Sequence, residues 1–233
     1  MTGGLLGRTA VVTGTAHGIG AAIAQALSDQ GATVQGVDKD VADLASPDAV
    51  RAFFAAVGPV DILVNNAGGV CGQVGQPLEE VTDDDWRQVV DANLTSTFLC
   101  TRAVVPGMKA RRWGRIINIS SAAGLTVSKT GIQAYASAKA GQMGFTRQMA
   151  HELGPFGITV NCIAPGFIRS NPTSERQWQG YGPDGQSKLL EGIATRRLGE
   201  PADIANGVQF FASDRSGWIT GQIIAIDGGS AFL

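Results

Sequence analysis

The chain has 233 residues, enough to bury a large core without metal or disulfide staples. Its 44% hydrophobic and 16% charged residues exclude a disordered composition. With a formal net charge of -2, nothing suggests a nucleic-acid surface, which usually needs a basic face.

Residues 1–8 are glycine-rich and hold no apolar segment of signal-peptide length, and no apolar run approaches a membrane span. A first strand is expected at 9–13. It runs straight into Thr13-Gly14-Thr15-Ala16-His17-Gly18-Ile19-Gly20, and a helix is expected at 18–30. Glycines let backbone turn tightly, and a helix N-terminus presents free amides to phosphates. A plain tight turn explains such glycines equally well until their place between strand and helix is counted. The second strand, 33–37, ends on Asp38, about 20 residues past the turn, where a carboxylate can accept from ribose hydroxyls and repel a 2′-phosphate. This favours NAD over NADP; a solvated turn aspartate is the plainer reading. Lys39 beside it could soften the preference, and His17, largely neutral, offers little to a 2′-phosphate.

Further strands are expected at 61–65, 115–120, 159–163 and 223–227, and helices at 47–56, 82–103, 134–153 and 201–212. Thr82 followed by Asp85 marks a helix start. Strand–helix alternation over the whole length predicts an α/β, doubly wound parallel sheet of the Rossmann-like kind with helices on both faces, as a single domain of residues 1–233. Two places break the rhythm. The stretch from Asp38 to Asp43 is too short for a crossover helix. Residues 167–197 form a long polar stretch containing Trp178 and Tyr181, placed where a substrate lid would sit.

The chemistry-bearing residues follow in order. Asn65-Asn66-Ala67-Gly68 follows a strand, Asn93 falls within a helix, and Ser120-Ser121 ends a strand. Then comes Tyr135-Ala136-Ser137-Ala138-Lys139. Four residues apart on a helix, Tyr135 and Lys139 point the same way, and a nearby ammonium lowers a phenol pKa from about 10. That makes Tyr135 usable as an acid or base, although a Tyr/Lys pair by itself is commonplace on helix surfaces.

Taken together with Asn161-Cys162-Ile163-Ala164-Pro165-Gly166 and the tail 221–229, these motifs resemble a short-chain dehydrogenase/reductase of the roughly 250-residue type, over nearly the whole chain. The resemblance implies an NAD-dependent oxidoreductase moving a hydride between nicotinamide and a secondary alcohol or ketone. It implies Tyr135 as acid–base residue, Lys139 on the nicotinamide ribose, Ser121 on the reacting oxygen with Ser120 as its structural neighbour, and Asn93 holding a water of the proton relay. On the cofactor side it implies Gly14, Ala16, His17, Gly18, Ile19 and Gly20 at the phosphates, and Asp38 at the ribose. Asp43 and Leu44 would lie beside the adenine, and Asn65, Ala67 and Gly68 along the adenosine. Pro165 and Gly166 would flank the nicotinamide, with Ile168 and Ser170 near its carboxamide. It implies a homotetramer built on the helices at 82–103 and 134–153, whose Ala and Gly run would permit close approach, with further contacts from the C-terminal strand. The short stretch after Asp38 implies a stunted third strand and a missing helix before it.

Two other functions compete: a 3-oxoacyl-thioester (acyl carrier protein) reductase, against which Asp38 weighs, and a non-catalytic nucleotide-binding regulator, which loss of the tyrosine or lysine would have favoured. Cys71, Cys100 and Cys162 are far apart and make no metal-binding cluster, so no metal is expected, and a reducing, cytoplasmic compartment is the simpler reading. Cys100 and Cys162 read as small buried residues, and Cys71 as neighbour of the substrate cleft. Trp86 reads as core beside Val89, Val90 and Leu94, and His151 as helix surface. Trp178 and Tyr181 either anchor the 167–197 stretch or line the pocket. The small-molecule carbonyl or alcohol is the only ligand class besides the cofactor that the sequence suggests.

Overall fold

The computed structural model describes residues 4–231; the outermost parts of the expected 1–233 domain lie outside the described residues. Six parallel strands form one sheet: β1 (Thr9–Thr13), β2 (Thr33–Val37), β3 (Ile62–Asn65), β4 (Gly114–Ile119), β5 (Ile158–Pro165) and β6 (Ile223–Ile226), in the order β2-β1-β3-β4-β5-β6. The helices are α1 (Gly18–Asp29), α2 (Pro47–Val57), α3 (Asp83–Val90), α4 (Ser96–Arg111), α5 (Ala122–Leu125), α6 (Gln133–Leu153), α7 (Pro172–Gly180), α8 (Gly182–Gly192) and α9 (Pro201–Ala212).

Strand side chains alternate between the two faces, and both faces are covered. Val12, Ile62, Val64 and Ile117 pack against Ile23 and Leu27 of α1 and Ile204, Val208 and Phe211 of α9. Val11, Leu63, Ile116 and Val160 pack on the other face against Val50 and Phe54 of α2, Leu99, Val104 and Met108 of α4, and Leu153 of α6. The central strands β1, β3, β4 and β5 are buried almost throughout and need unbroken runs of apolar residues, while the edge strands β2 and β6 are more exposed; all six runs end within two or three residues of their expected limits. Chain order reverses at β1, which pairs with β2 on one side and β3 on the other. A crevice opens at the carboxyl ends of the strands at such a point, and ligands of open α/β sheets bind there.

Four expectations need correction. Between Asp38 and Pro47 the chain makes turns only, so the stunted strand is absent along with its helix, and β2 is left as an edge. The helix expected at 82–103 is α3 and α4 joined by a π-helical turn, Asp91–Thr95, and it continues to Arg111 through Pro106. Packing of Leu99, Val104 and Met108 outweighs the hydrogen bond that Pro106 forfeits. The polar stretch 167–197 is largely helical, as α7 and α8. An Asn171/Ser174 capping box with Pro172 in the first turn starts α7. Trp86 is exposed rather than core, since on α3 only Val89 reaches the interior. The helix start at Thr82 is as expected, with the Thr82/Asp85 capping box closing the first turn of α3.

Candidate active site

The glycine turn leaves β1 and enters α1. A side chain at Gly20 would run into the Gly14 carbonyl, so the turn closes only around glycine; Gly14 and Gly18 both have positive φ. Asn66, just past β3, clasps the turn: its side-chain amide donates to the Thr13 and Gly14 carbonyls at 2.9 and 3.1 Å. The Thr13 hydroxyl accepts from the Asn66 and Ala67 amides, each at 2.9 Å. Two adjacent strand ends are thereby held at the crevice. His17 precedes α1 without a side-chain cap and the first turn, which includes Ile19, holds no acid, so its amides are left to an anion. The residues present therefore fit a pyrophosphate. Asp38 stands at the end of β2, and its Oδ2 accepts from the Ala16 amide at 2.6 Å and the Thr15 hydroxyl at 3.2 Å.

Not every expected cofactor contact faces this crevice. Asn65 is buried, and its side chain donates inward to Asn118 Oδ1 at 2.8 Å and Thr101 Oγ1 at 3.2 Å. Its neighbour Asn66 does the work at the turn. Leu44 packs in the core with Val11, Val37 and Val50, whereas Asp43 is exposed. Gly68 lies against the Asn93 side chain.

The other end of the site gathers at the ends of β4 and β5. Ser120 is buried and its hydroxyl donates to the Lys139 carbonyl at 2.7 Å, tying α6 to the end of β4. Lys139 is buried, and its Nζ donates to the Ile119 carbonyl at 2.9 Å and stands 5.5 Å from the Tyr135 ring centre. Burial lowers the Lys139 pKa from 10.5 to about 8, against an opposing influence from Cys162. Burial raises the Tyr135 phenol above its usual 10.0, and a hydrogen bond with the Ser121 side chain opposes this only in part. The lowered phenol expected from the Tyr135/Lys139 spacing is thus reversed in the free protein, because desolvation outweighs the Ser121 hydrogen bond.

Asn93 sits in the π-turn, fully buried. Its amide donates to the carbonyls of Val89 at 2.7 Å and Gly69 at 2.8 Å, and its Oδ1 accepts from the Gly69 amide at 3.1 Å. This fastens α3–α4 to the segment after β3. Pro165 ends β5, Gly166 packs against Asp227, and Ile168 pairs with Gly199. The Ser170 carbonyl lies against Gly18, bringing the segment after β5 over the glycine turn. Phe167, Trp178 and Tyr181 cluster with ring centres 6.3 and 5.9 Å apart, which anchors α7 and α8. Cys100 and Cys162 are buried, as the sequence suggested, and Cys71 is exposed. Among the described residues, no three His, Cys, Asp or Glu gather to hold a metal, and no helix is long and apolar enough to cross a membrane.

Sequence comparison agrees with this layout. A family model described as enoyl-(acyl carrier protein) reductase matches residues 37–231. The 3-oxoacyl-[acyl-carrier-protein] reductase FabG of Vibrio harveyi is 37% identical over 97% of this chain and 98% of its own. The (2S)-[(R)-hydroxy(phenyl)methyl]succinyl-CoA dehydrogenase subunit BbsD of Thauera aromatica is 39% identical over 99% of both. A solved 3-oxoacyl-[acyl-carrier protein] reductase from Brucella melitensis with bound NAD superposes with a TM-score of 0.87 at 34% identity, covering 100% of this chain and 94% of that one. The chain belongs to the short-chain dehydrogenase/reductase family. It is an oxidoreductase acting on carbonyl and CH–OH groups. That sets aside the non-catalytic regulator.

The Lys139 shift has a sign that can be checked. Below about pH 8 the folded protein carries a buried cation at a cost. Between about 8 and 10.5 the folded chain sheds a proton that the unfolded chain keeps, so stability rises with pH across that window. Ligand-free wild type should therefore gain unfolding free energy relative to Lys139→Met between pH 8 and 10.5, measured by urea denaturation. A difference that stays flat, or falls, would contradict the burial of a charged Lys139.

Proposed function

We propose that this protein is an NAD-dependent dehydrogenase or ketoreductase that interconverts a secondary alcohol and a ketone, with Tyr135 as general acid and base. The observation that carries this reading is Tyr135 beside buried Lys139 and Ser121, at the same end of the parallel sheet as the glycine turn. NAD, when bound, supplies or accepts the hydride. In reduction the substrate oxygen gains negative charge and needs a proton, which the Tyr135 hydroxyl gives; in oxidation the Tyr135 phenolate takes it back. Burial keeps that phenol protonated near neutrality, the state reduction requires. Ser121 donates to the reacting oxygen and orients it. Lys139, still mostly protonated at pH 7, has N–H bonds beyond the one given to Ile119, and these hold the nicotinamide ribose. Its charge also favours phenolate when the proton leaves. Asn93 holds the water that returns the proton from solvent through Lys139. Asp38 meets the adenosine ribose and disfavours a 2′-phosphate, so NAD is preferred over NADP.

A 3-oxoacyl-thioester reductase is the second reading, favoured by the Vibrio harveyi and Thauera aromatica relatives, whose names specify thioester substrates. We place the protein in the cytoplasm and read residues 1–233 as one dinucleotide-binding and catalytic domain.

Tyr135→Phe keeps the ring and deletes the hydroxyl. General acid–base catalysis is worth about 10²–10⁴-fold, so kcat should fall by that order while NAD binding, measured separately, survives. Near-normal turnover by the folded variant would overturn the mechanism.

Residues 167–197, with α7 and α8, serve as a lid over substrate, excluding water during hydride transfer. Amide hydrogen exchange in this segment should slow when NAD and substrate are added together. Unchanged exchange at saturation would refute a lid.

A homotetramer is supported by two exposed apolar areas. Trp86 and Phe98 lie on α3 and α4; Trp218, Phe210 and Ile224 lie near β6 and α9, with Trp218 99% exposed. Light scattering at micromolar concentration should give four times the chain mass. A stable monomer would rule this assembly out.

A further inference from the structure

Asp38 is half-buried at the end of the edge strand β2, with only turns after it. An aspartate in such a place would ordinarily sample several rotamers in water. Here its Oδ2 is held twice, by the Ala16 amide at 2.6 Å and by the Thr15 hydroxyl at 3.2 Å, both from the glycine turn. The amide is fixed by the turn, and hydrogen bonds to an ionised acceptor are the strong kind. Oδ1 has no hydrogen-bond partner among the described residues. The carboxylate is thus locked by one oxygen and free at the other.

Gly36 explains how Thr15 can be there. A Cβ at Gly36 would collide with Thr15 Oγ1 and approach its Cβ and Cγ2 to 3.1 and 3.2 Å. Glycine inside a strand weakens it and commonly marks a close approach by another group. In β2, where Gly36 pairs with Val12 in the ladder, the approaching group is the Thr15 side chain. A strand position is therefore given up to let a hydroxyl reach the aspartate.

We propose that Thr15 is a positioning residue for the Asp38 carboxylate, and that this clasp, with Gly36 making room for it, sets the preference for NAD over NADP. The inference rests on the reading of Asp38 as the ribose partner given above. Thr15 acts through Asp38: it removes rotamer freedom before ligand arrives and leaves Oδ1 to accept from the ribose. Preorganisation of this kind acts on affinity. It acts in opposite senses on the two dinucleotides, because a fixed carboxylate accepts from a 2′-hydroxyl and repels a 2′-phosphate.

The test is isothermal titration calorimetry of NAD and NADP on the intact protein, with KM and kcat for each cofactor alongside. Thr15→Val keeps the branched shape against Gly36 and deletes the hydroxyl. Its NAD affinity should fall about threefold to tenfold, with NADP affinity unchanged or improved, the size of one lost hydrogen bond to an ion discounted for acting indirectly. The loss should appear in KM for NAD and not in kcat. Thr15→Ser should restore the wild-type ratio, and Gly36→Ala, which pushes the hydroxyl away without removing it, should lower the ratio as Thr15→Val does. A wild-type NAD:NADP affinity ratio in Thr15→Val, alongside a collapsed ratio in Asp38→Ala, would overturn the positioning role and leave the Asp38 reading standing. An unchanged ratio in Asp38→Ala would overturn both. Equal losses for the two cofactors in Thr15→Val, not restored by Thr15→Ser, would mark Thr15 as a packing residue and overturn the proposal.

Discussion

Lys139 places an ammonium in the interior at the end of β4 with one protein hydrogen bond, to the Ile119 carbonyl. Burying a cation with so few partners is costly, and the lowered pKa is the signature of that cost. The surrounding structure holds the group there. Ser120 ties the Lys139 backbone to the end of β4, and α6 is fixed further along by Thr146, which accepts from Asn118 of β4 at 2.9 Å. Gln142, also on α6, donates to Thr97 Oγ1 at 2.6 Å and to the Asn93 carbonyl in the π-turn at 3.3 Å. The strain is local to a site where a ligand with hydroxyl acceptors would satisfy the spare donors. Stability is given up where the chemistry needs it, and it is supplied by the two apolar layers on either side of the sheet.

The same logic runs along the crevice. At the glycine turn, Asn66 and Thr13 bind its backbone, Asp38 accepts from the Ala16 amide, and Thr15 donates to the Asp38 carboxylate. At the reactive end, Asn93 binds the backbone of Gly69 and Val89. Rigid elements thus place these residues.

How much of this was legible in the sequence depended on the kind of signal. The β-branched runs specified the central strands closely because a doubly covered strand must be apolar throughout, and the exposed edge strand β2 still carried Thr33, Val34 and Val37. The glycine turn and the Tyr135/Lys139 spacing were legible because tight turns and helix periodicity restrict which residues can serve. The inward turn of Asn65 and the outward role of Asn66 were not, since one step along a strand end exchanges the faces and both residues are the same amino acid. The π-turn at Asp91–Thr95 was hidden, because one extra residue in a turn barely disturbs an apolar period. Helices α7 and α8 were hidden by their polar composition, although Asn171-Pro172 carried a start signal. The direction of the Tyr135 pKa could not be had from spacing: the neighbouring lysine is visible in the sequence, whereas the burial that raises the phenol is a property of the fold.

Tyr135 is proposed as the acid–base residue, a phenol that burial keeps protonated in the free protein and that bound NAD and the Lys139 charge bring toward phenolate. The chain has two tyrosines, Tyr135 and Tyr181, so in a Tyr181→Phe background Tyr135 alone contributes phenolate absorbance. Ultraviolet difference titration of that protein should show the phenol titrating above the usual value of about 10 without ligand and moving down toward neutrality with saturating NAD. A phenol that still titrates above 10 with NAD bound would contradict the account.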